Sequence, residues 1–157
     1  MLGVDDFPTG WTKGSGRTRE ATGAVGRSVG FHGTDDPNLS WVNVVQQLYL
    51  YPDNTSASAA YPKWIAKEFP AMSEPDSWQP APYLGIPNHA DQMMIGCLPV
   101  SINGAPVDSC SAVAQYQNMI IIIYGNLTAD RWLTNEGFQD VLKAMDRRAQ
   151  EALTPPK

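Results

Sequence analysis

Charge is scarce in this chain of 157 residues: Asp, Glu, Lys and Arg make up 17%, against roughly 25% in an average soluble protein. Its polar surface must come largely from Ser, Thr, Asn, Gln and Gly, a composition more common in exported than in cytosolic proteins. The net charge is −5, and the densest basic stretch, KGSGRTR from Lys13 to Arg19, is rich in Gly and Ser. Nucleic-acid binders draw affinity from neutralising phosphates, so a nucleic-acid partner is excluded. No run of eighteen apolar residues exists, so no helical membrane span is expected. The opening MLGVDDFPTGW lacks the charged start, apolar stretch and cleavage site of a signal peptide. Histidine is limited to His32 and His89, cysteine to Cys97 and Cys110. No GxSxG nucleophile elbow and no P-loop occur. These absences leave no recognisable catalytic constellation, and the sequence specifies no activity.

What is present is a hydrophobic share of 43%, enough for one core, in a length that suits one domain. The expected organisation is an irregular N-terminal arm over 1–27, pinned by Phe7 and Trp11, followed by a single α+β domain over 28–157. Within it, 28–33 and 41–51 read as strands, the second with Val42, Val44, Gln46, Leu48 and Leu50 on one face. Residues 55–69 read as a helix with Ala57, Ala60, Tyr61, Trp64, Ile65 and Phe69 on one side. Pro62 either kinks it or marks its first turn. The proline-rich 70–88 should be a long surface connection. A meander of strands over 91–102, 107–116 and 119–125 follows, and then an amphipathic helix from Phe138 with Val141, Leu142, Met145, Ala149 and Leu153 in one stripe. The order β-β-α-β-β-β-α predicts an antiparallel sheet with helices packed on it, an α+β sandwich.

The cysteines bear on compartment. An Asn103–Gly104 pair favours a two-residue type I′ turn. Counting outward, Ile102 faces Ala105, Ser101 faces Pro106 and Cys97 faces Cys110, on a non-hydrogen-bonded pair where side chains stand closest. Pro99 and Pro106 also fall where no ladder bond is lost. The spacing predicts a Cys97–Cys110 disulfide over the alternative of two buried free thiols. A disulfide implies an oxidising compartment, and the missing signal peptide is then expected to precede the residues given. Metal binding is not expected, because two cysteines without a further Cys or His pair at ligand spacing cannot close a site. No cofactor is expected.

Two candidate chemistries remain. His89 with Asp91, near Ser101, Ser109 and Ser111, could serve a small hydrolase. His32 with Asp35 and Asp36 could serve a metal-dependent enzyme, although Asp-Asp-Pro-Asn is first of all a turn. The candidate binding residues are Trp78 and Tyr83, aromatics in the proline-rich connection that either line a groove for an unidentified protein or small amphipathic ligand, or pin the loop. Trp41, Tyr61 and Trp64 are expected in the core.

The opening DDFPTGW, the strand and helix of LYLYPDNTSASAAYPKWIAKEF, and SAVAQYQNMIIIIYG with a terminal amphipathic helix resemble bacterial envelope proteins similar to the LpqN family, with a PsbP-like fold. The resemblance implies the α/β/α form of the sandwich and a non-enzymatic extracytoplasmic binding or assembly domain, and supplies no catalytic residues. No lipobox cysteine is visible, so a lipid anchor is either missing from this stretch or absent.

Overall fold

In the computed structural model, residues 1–34, 39, 42–129 and 132–154 are described. They form a mixed α+β fold of eight antiparallel strands and two α-helices. The strands are β1 (Thr12–Lys13), β2 (Arg17–Ala21), β3 (Ala24–His32), β4 (Asn43–Leu50), β5 (Gln79–Pro80), β6 (Gln92–Ile102), β7 (Ala105–Tyr116) and β8 (Met119–Leu127). The helices are α1 (Asn54–Glu68) and α2 (Asn135–Leu153). Across the sheet the order is β1-β3-β4-β8-β7-β6-β5, with β2 also paired to β3.

The expected meander is present. Asn103 (φ 53°) and Gly104 (φ 81°) take the left-handed conformations a type I′ turn requires, and Cys97 faces Cys110 in the β6–β7 register. The two form a disulfide with Cα atoms 4.1 Å apart. A second tight turn at Gln117 and Asn118 sets Tyr116 opposite Met119. β8 then lies at the centre of the sheet between β7 and β4, and its four isoleucines are almost wholly buried.

Strand alternation sends those isoleucines two ways. Ile121 and Ile123 pack with Val44, Phe31 and Ala112 beneath Phe138, Val141, Leu142 and Met145 of α2. Ile120 and Ile122 pack with Val113 and Tyr49 beneath Ala57, Tyr61 and Trp64 of α1. One helix therefore covers each face. Helix α2 starts at the cap Thr134, whose hydroxyl accepts from the Gly137 N–H, four residues before the first core position, Phe138. In α1, Asp53 accepts from the Ser56 N–H and Pro62 sits in the helix interior. Pro62 lies on the exposed side of the helix, and its ring deprives the carbonyl one turn back of its usual donor.

The N-terminal stretch departs from expectation. Phe7 does stack on Trp11 and on Phe31, with ring centroids 5.0 and 4.3 Å apart. Residues 12–13, 17–21 and 24–27, however, are strand rather than irregular. The polar β2 carries no hydrophobic period because it is an edge strand exposed on both sides, and only its pairing to β3 makes it a strand. The connection after α1 likewise contains the short β5 and a 3-10 turn at Pro82–Leu84. Three short strands are thus added to the expected order.

Candidate functional site

The connection between α1 and β6 crosses the edge of the sheet from one face to the other. Before β5, Trp78 is half-buried, belongs to the α1-side cluster and meets Phe69 edge-on at 5.3 Å. After β5, Leu84 is buried in the α2-side core, and the Tyr83 carbonyl accepts from Gln139 Nε2 of α2 at 3.0 Å. The Tyr83 side chain is 57% exposed. Trp78 and Tyr83 therefore stand on opposite sides of the edge, and the structure does not bring them together. Along the chain between them, Pro80 and Pro82 line a groove of about 390 Å³ with Met93, Met94 and Ile95 of β6. Because Met93 and Met94 point to opposite faces, this apolar groove wraps the edge itself.

His89 finds a different acid from the one two residues away. Its Nδ1 lies 2.8 Å from Asp146 Oδ2, and its backbone N–H donates to Asp146 Oδ1 at 2.7 Å. Tyr116 donates its hydroxyl to the same Oδ1 at 3.0 Å. Asp146 and Tyr116 are buried, whereas the His89 side chain is 70% exposed. Asp91 instead accepts from the Gln117 N–H at the β7–β8 turn. Burial pushes the Asp146 carboxyl up, but the His89 N–H, the His89 ring and the Tyr116 hydroxyl outweigh it and hold the group below the ordinary carboxylate range. Burial, then the charge and hydrogen bond of Asp146, push the Tyr116 phenol upward.

The histidine faces a groove of about 570 Å³ on α2 whose walls include Lys143, Arg147, Glu151 and Thr154. An imidazole oriented by a buried carboxylate is half of a nucleophile-activating arrangement. The hydroxyl that lines this groove is that of Thr154, and it donates to the Gln150 carbonyl at 2.8 Å rather than to the histidine. Ser111 lies on the opposite face of the sheet, beside Tyr124 in register, fully buried and with no hydrogen-bond partner among the described residues. His32 is exposed on β3, and its proposed partners Asp35 and Asp36 lie outside the described residues, as does Trp41. Among the described residues no group of three His, Cys, Asp or Glu is placed to hold a metal ion.

Asp146 escapes a reading of the sequence because it looks like one more charge on the polar side of α2. A signal was nevertheless there. Asp146 follows Met145 directly and stands one turn from both Leu142 and Ala149, on the shoulder of the buried stripe.

A buried acid on the α1 side, Glu68, receives the Tyr124 hydroxyl. Burial pushes its carboxyl above the ordinary range, against the pull of Lys67. Tyr61 and Trp64 are buried as expected. The Trp64 indole donates to the Tyr51 hydroxyl at 2.9 Å.

No protein-family model matches the chain, and no curated protein matches it. Among solved structures it is similar to the extracellular domain of PknH from Mycobacterium tuberculosis, with a TM-score of 0.63 and 10% sequence identity over 91% of this chain and 86% of that one. At that identity the likeness is one of fold: the chain shares its architecture with an extracellular bacterial domain.

Proposed function

We propose that the chain is a non-enzymatic binding domain of the bacterial cell envelope, working outside the cytoplasm. The observation that carries this reading is the fold, shared along nearly the whole chain with an extracellular bacterial domain. The Cys97–Cys110 disulfide supports it, because such bonds persist in oxidising compartments. The low charge content and the LpqN-like order of elements agree. The binding surface in this reading is the edge connection, where Trp78 and Tyr83 flank the apolar groove of Pro80, Pro82 and Met93 to Ile95. A small amphipathic ligand or an apolar segment of a partner protein fits its chemistry, without metal or covalent steps.

Two measurements test the proposal. In cells producing the full protein, Cys97 and Cys110 should resist a thiol reagent until a reductant is added. Full labelling without reductant would refute the extracytoplasmic reading. Binding of a fluorescent fatty acid to the purified protein should fall at least several-fold in Met93→Ser, with an unchanged melting temperature. Unchanged binding would move the site elsewhere.

A second reading, a small hydrolase, is favoured by one observation, the Asp146–His89 dyad. In that reading the exposed His89 Nε2 takes a proton from an attacking water molecule. Aryl-ester turnover abolished in His89→Gln would support it, and turnover unchanged in that variant would exclude it.

A further inference from the structure

The most basic part of the molecule is also its outermost ribbon. The segment from β1 to β3 holds Lys13, Arg17, Arg19 and Arg27 against a single carboxylate, Glu20. This ribbon carries a formal charge of +3 while the remainder of the chain carries −8. All four cationic side chains are exposed, and among the described residues none of them forms an ion pair. The cations of α2 behave differently: Lys143 meets Asp140, and Arg147 and Arg148 both meet Asp6 and Glu151.

Beside these charges the ribbon exposes apolar surface. Val25, two residues past the β2–β3 turn at Gly23, is 72% exposed. Its register partner on β4, Leu50, is 47% exposed, and its partner on β2 is the ribbon's single carboxylate, Glu20. Charges on an edge strand ordinarily guard against strand addition, and that explains Arg17 and Arg19 on β2. It does not explain Arg27, which lies on β3 and is paired on both sides, to Thr18 and to Leu48. It does not explain a bare valine at the tip either.

We propose that the β2–β3 hairpin docks the protein, tip first, on a membrane surface rich in anionic lipid. Arg19 and Arg27 flank the tip, from opposite faces of the twisted ribbon, and Arg17 and Lys13 follow behind them. Approached end-on, Arg19 and Arg27 meet lipid phosphates while Val25 and Leu50 reach the boundary between headgroups and acyl chains, and Arg17 and Lys13, farther up the ribbon, add longer-range attraction. An acidic protein or polysaccharide would match the charges and leave Val25 and Leu50 in water. The interface of an anionic bilayer accepts both kinds of group at once. The segregated charge also orients the encounter, since the strongly negative remainder of the molecule is repelled by the same surface.

The test is flotation of the purified protein with vesicles of phosphatidylcholine alone or mixed with phosphatidylglycerol, at low and at physiological salt. Binding is expected only to the phosphatidylglycerol vesicles and should weaken with salt. Arg17→Gln, Arg19→Gln and Arg27→Gln should each lower partitioning about fivefold. Val25→Ser should lower it while leaving the salt dependence intact. Melting curves check that each variant is folded, and Lys13→Gln replaces any that is not. Absence of binding to phosphatidylglycerol vesicles, equal binding to neutral ones, or full binding by the triple Gln variant would overturn the proposal. So would binding to polyglutamate as tight as to vesicles with no effect of Val25→Ser, which would identify an acidic polymer as the partner. Met93→Ser, which tests the edge groove, should leave flotation unchanged, so the two sites fail or succeed separately.

Discussion

The two faces of the sheet both bury carboxylates, and Asp146 on one and Glu68 on the other show opposite consequences. Under α2, Asp146 accepts from the His89 N–H and the Tyr116 hydroxyl and sits against the His89 ring, and its acidity is strengthened. Under α1, Glu68 receives the Tyr124 hydroxyl, and burial weakens its acidity. Removal from water costs an ionised carboxylate free energy on either face, and the supply of donors decides whether that cost is offset. The helices differ in the same way. The long apolar stripe of α2 seals its face, and its flanks carry polar fastenings to two distant segments: Asp6 of the N-terminal segment meets Arg147 and Arg148, and His89 of the edge connection meets Asp146. Helix α1 has a weaker stripe and is held by buried rings and amide bonds, with Gln115 Nε2 of β7 2.8 Å from both Asn54 Oδ1 and Ser58 Oγ. A face built on apolar periodicity and a face built on individual polar contacts should respond differently to perturbation.

The largest effect belongs to the apolar face. Phe138→Ala, at a fully buried position, should cost about 3–5 kcal/mol in urea unfolding, and a loss below about 1 kcal/mol would show that the α2 face is not the principal core. Next comes the disulfide, whose sulfurs also lie on the α2 side. Replacing both cysteines with Ser should cost about 2–4 kcal/mol, toward the lower end because the closed loop is short.

Asp146→Asn comes third, at about 1–3 kcal/mol, because it removes the charge that strengthens the bonds from the His89 N–H and the Tyr116 hydroxyl. Its pH signature follows from a carboxyl whose acidity is stronger in the folded state than in the unfolded one. The stabilisation is complete above the unfolded value of about 3.9 and disappears as the pH falls through the folded value. Unfolding followed from pH 7 to pH 2 should therefore show a shallower acid loss in Asp146→Asn. Some slope remains, because Asp6 is shifted in the same direction: burial opposes it, but the Gly3 N–H and Arg148 prevail.

Glu68→Gln sharpens the contrast with the opposite sign. A carboxyl raised by burial destabilises the fold as pH rises past its unfolded value of about 4.3, so removing it should leave the protein as stable or up to about 1 kcal/mol more stable at pH 7. A clear loss would mean that the Tyr124 contact outweighs the burial cost. The smallest effects belong to the edge connection. Trp78→Ala should cost about 1 kcal/mol and Tyr83→Ala should stay within about 0.5 kcal/mol, both read from thermal melts. Collapse of the domain on losing Trp78 would reassign that ring to the core.

What could be read from the residues was whatever rests on local periodicity or on a turn of fixed geometry. The Asn103–Gly104 turn determines its own pairing, so the partner of Cys97 can be counted without a structure. The stripe of α2 and the two-faced isoleucine strand declare themselves in the same way. β2 was invisible because an edge strand exposed on both sides has no hydrophobic period, and β5 because two residues are too few for any pattern. The His89–Asp146 pair was invisible because the two residues, 57 positions apart, meet only once α2 lies on the sheet. The same holds for Trp78 and Tyr83, close neighbours in sequence that the intervening β5 sends to opposite sides of an edge.

The place of β8 in the sheet sets a timetable for the chain. Strands β6, β7 and β8 are joined by two tight turns and can pair as soon as they exist, whereas β4 must wait for residues 119–125 before its second edge is covered. Until then the ribbon of β1 to β4 is a half-sheet with an open, apolar margin, and such long-range pairings are slow to form. A chain emerging N-terminus first therefore remains pliable through roughly its first three-quarters. It becomes a closed fold only when its last strand inserts at the centre and α2, the last element made, covers the face behind it.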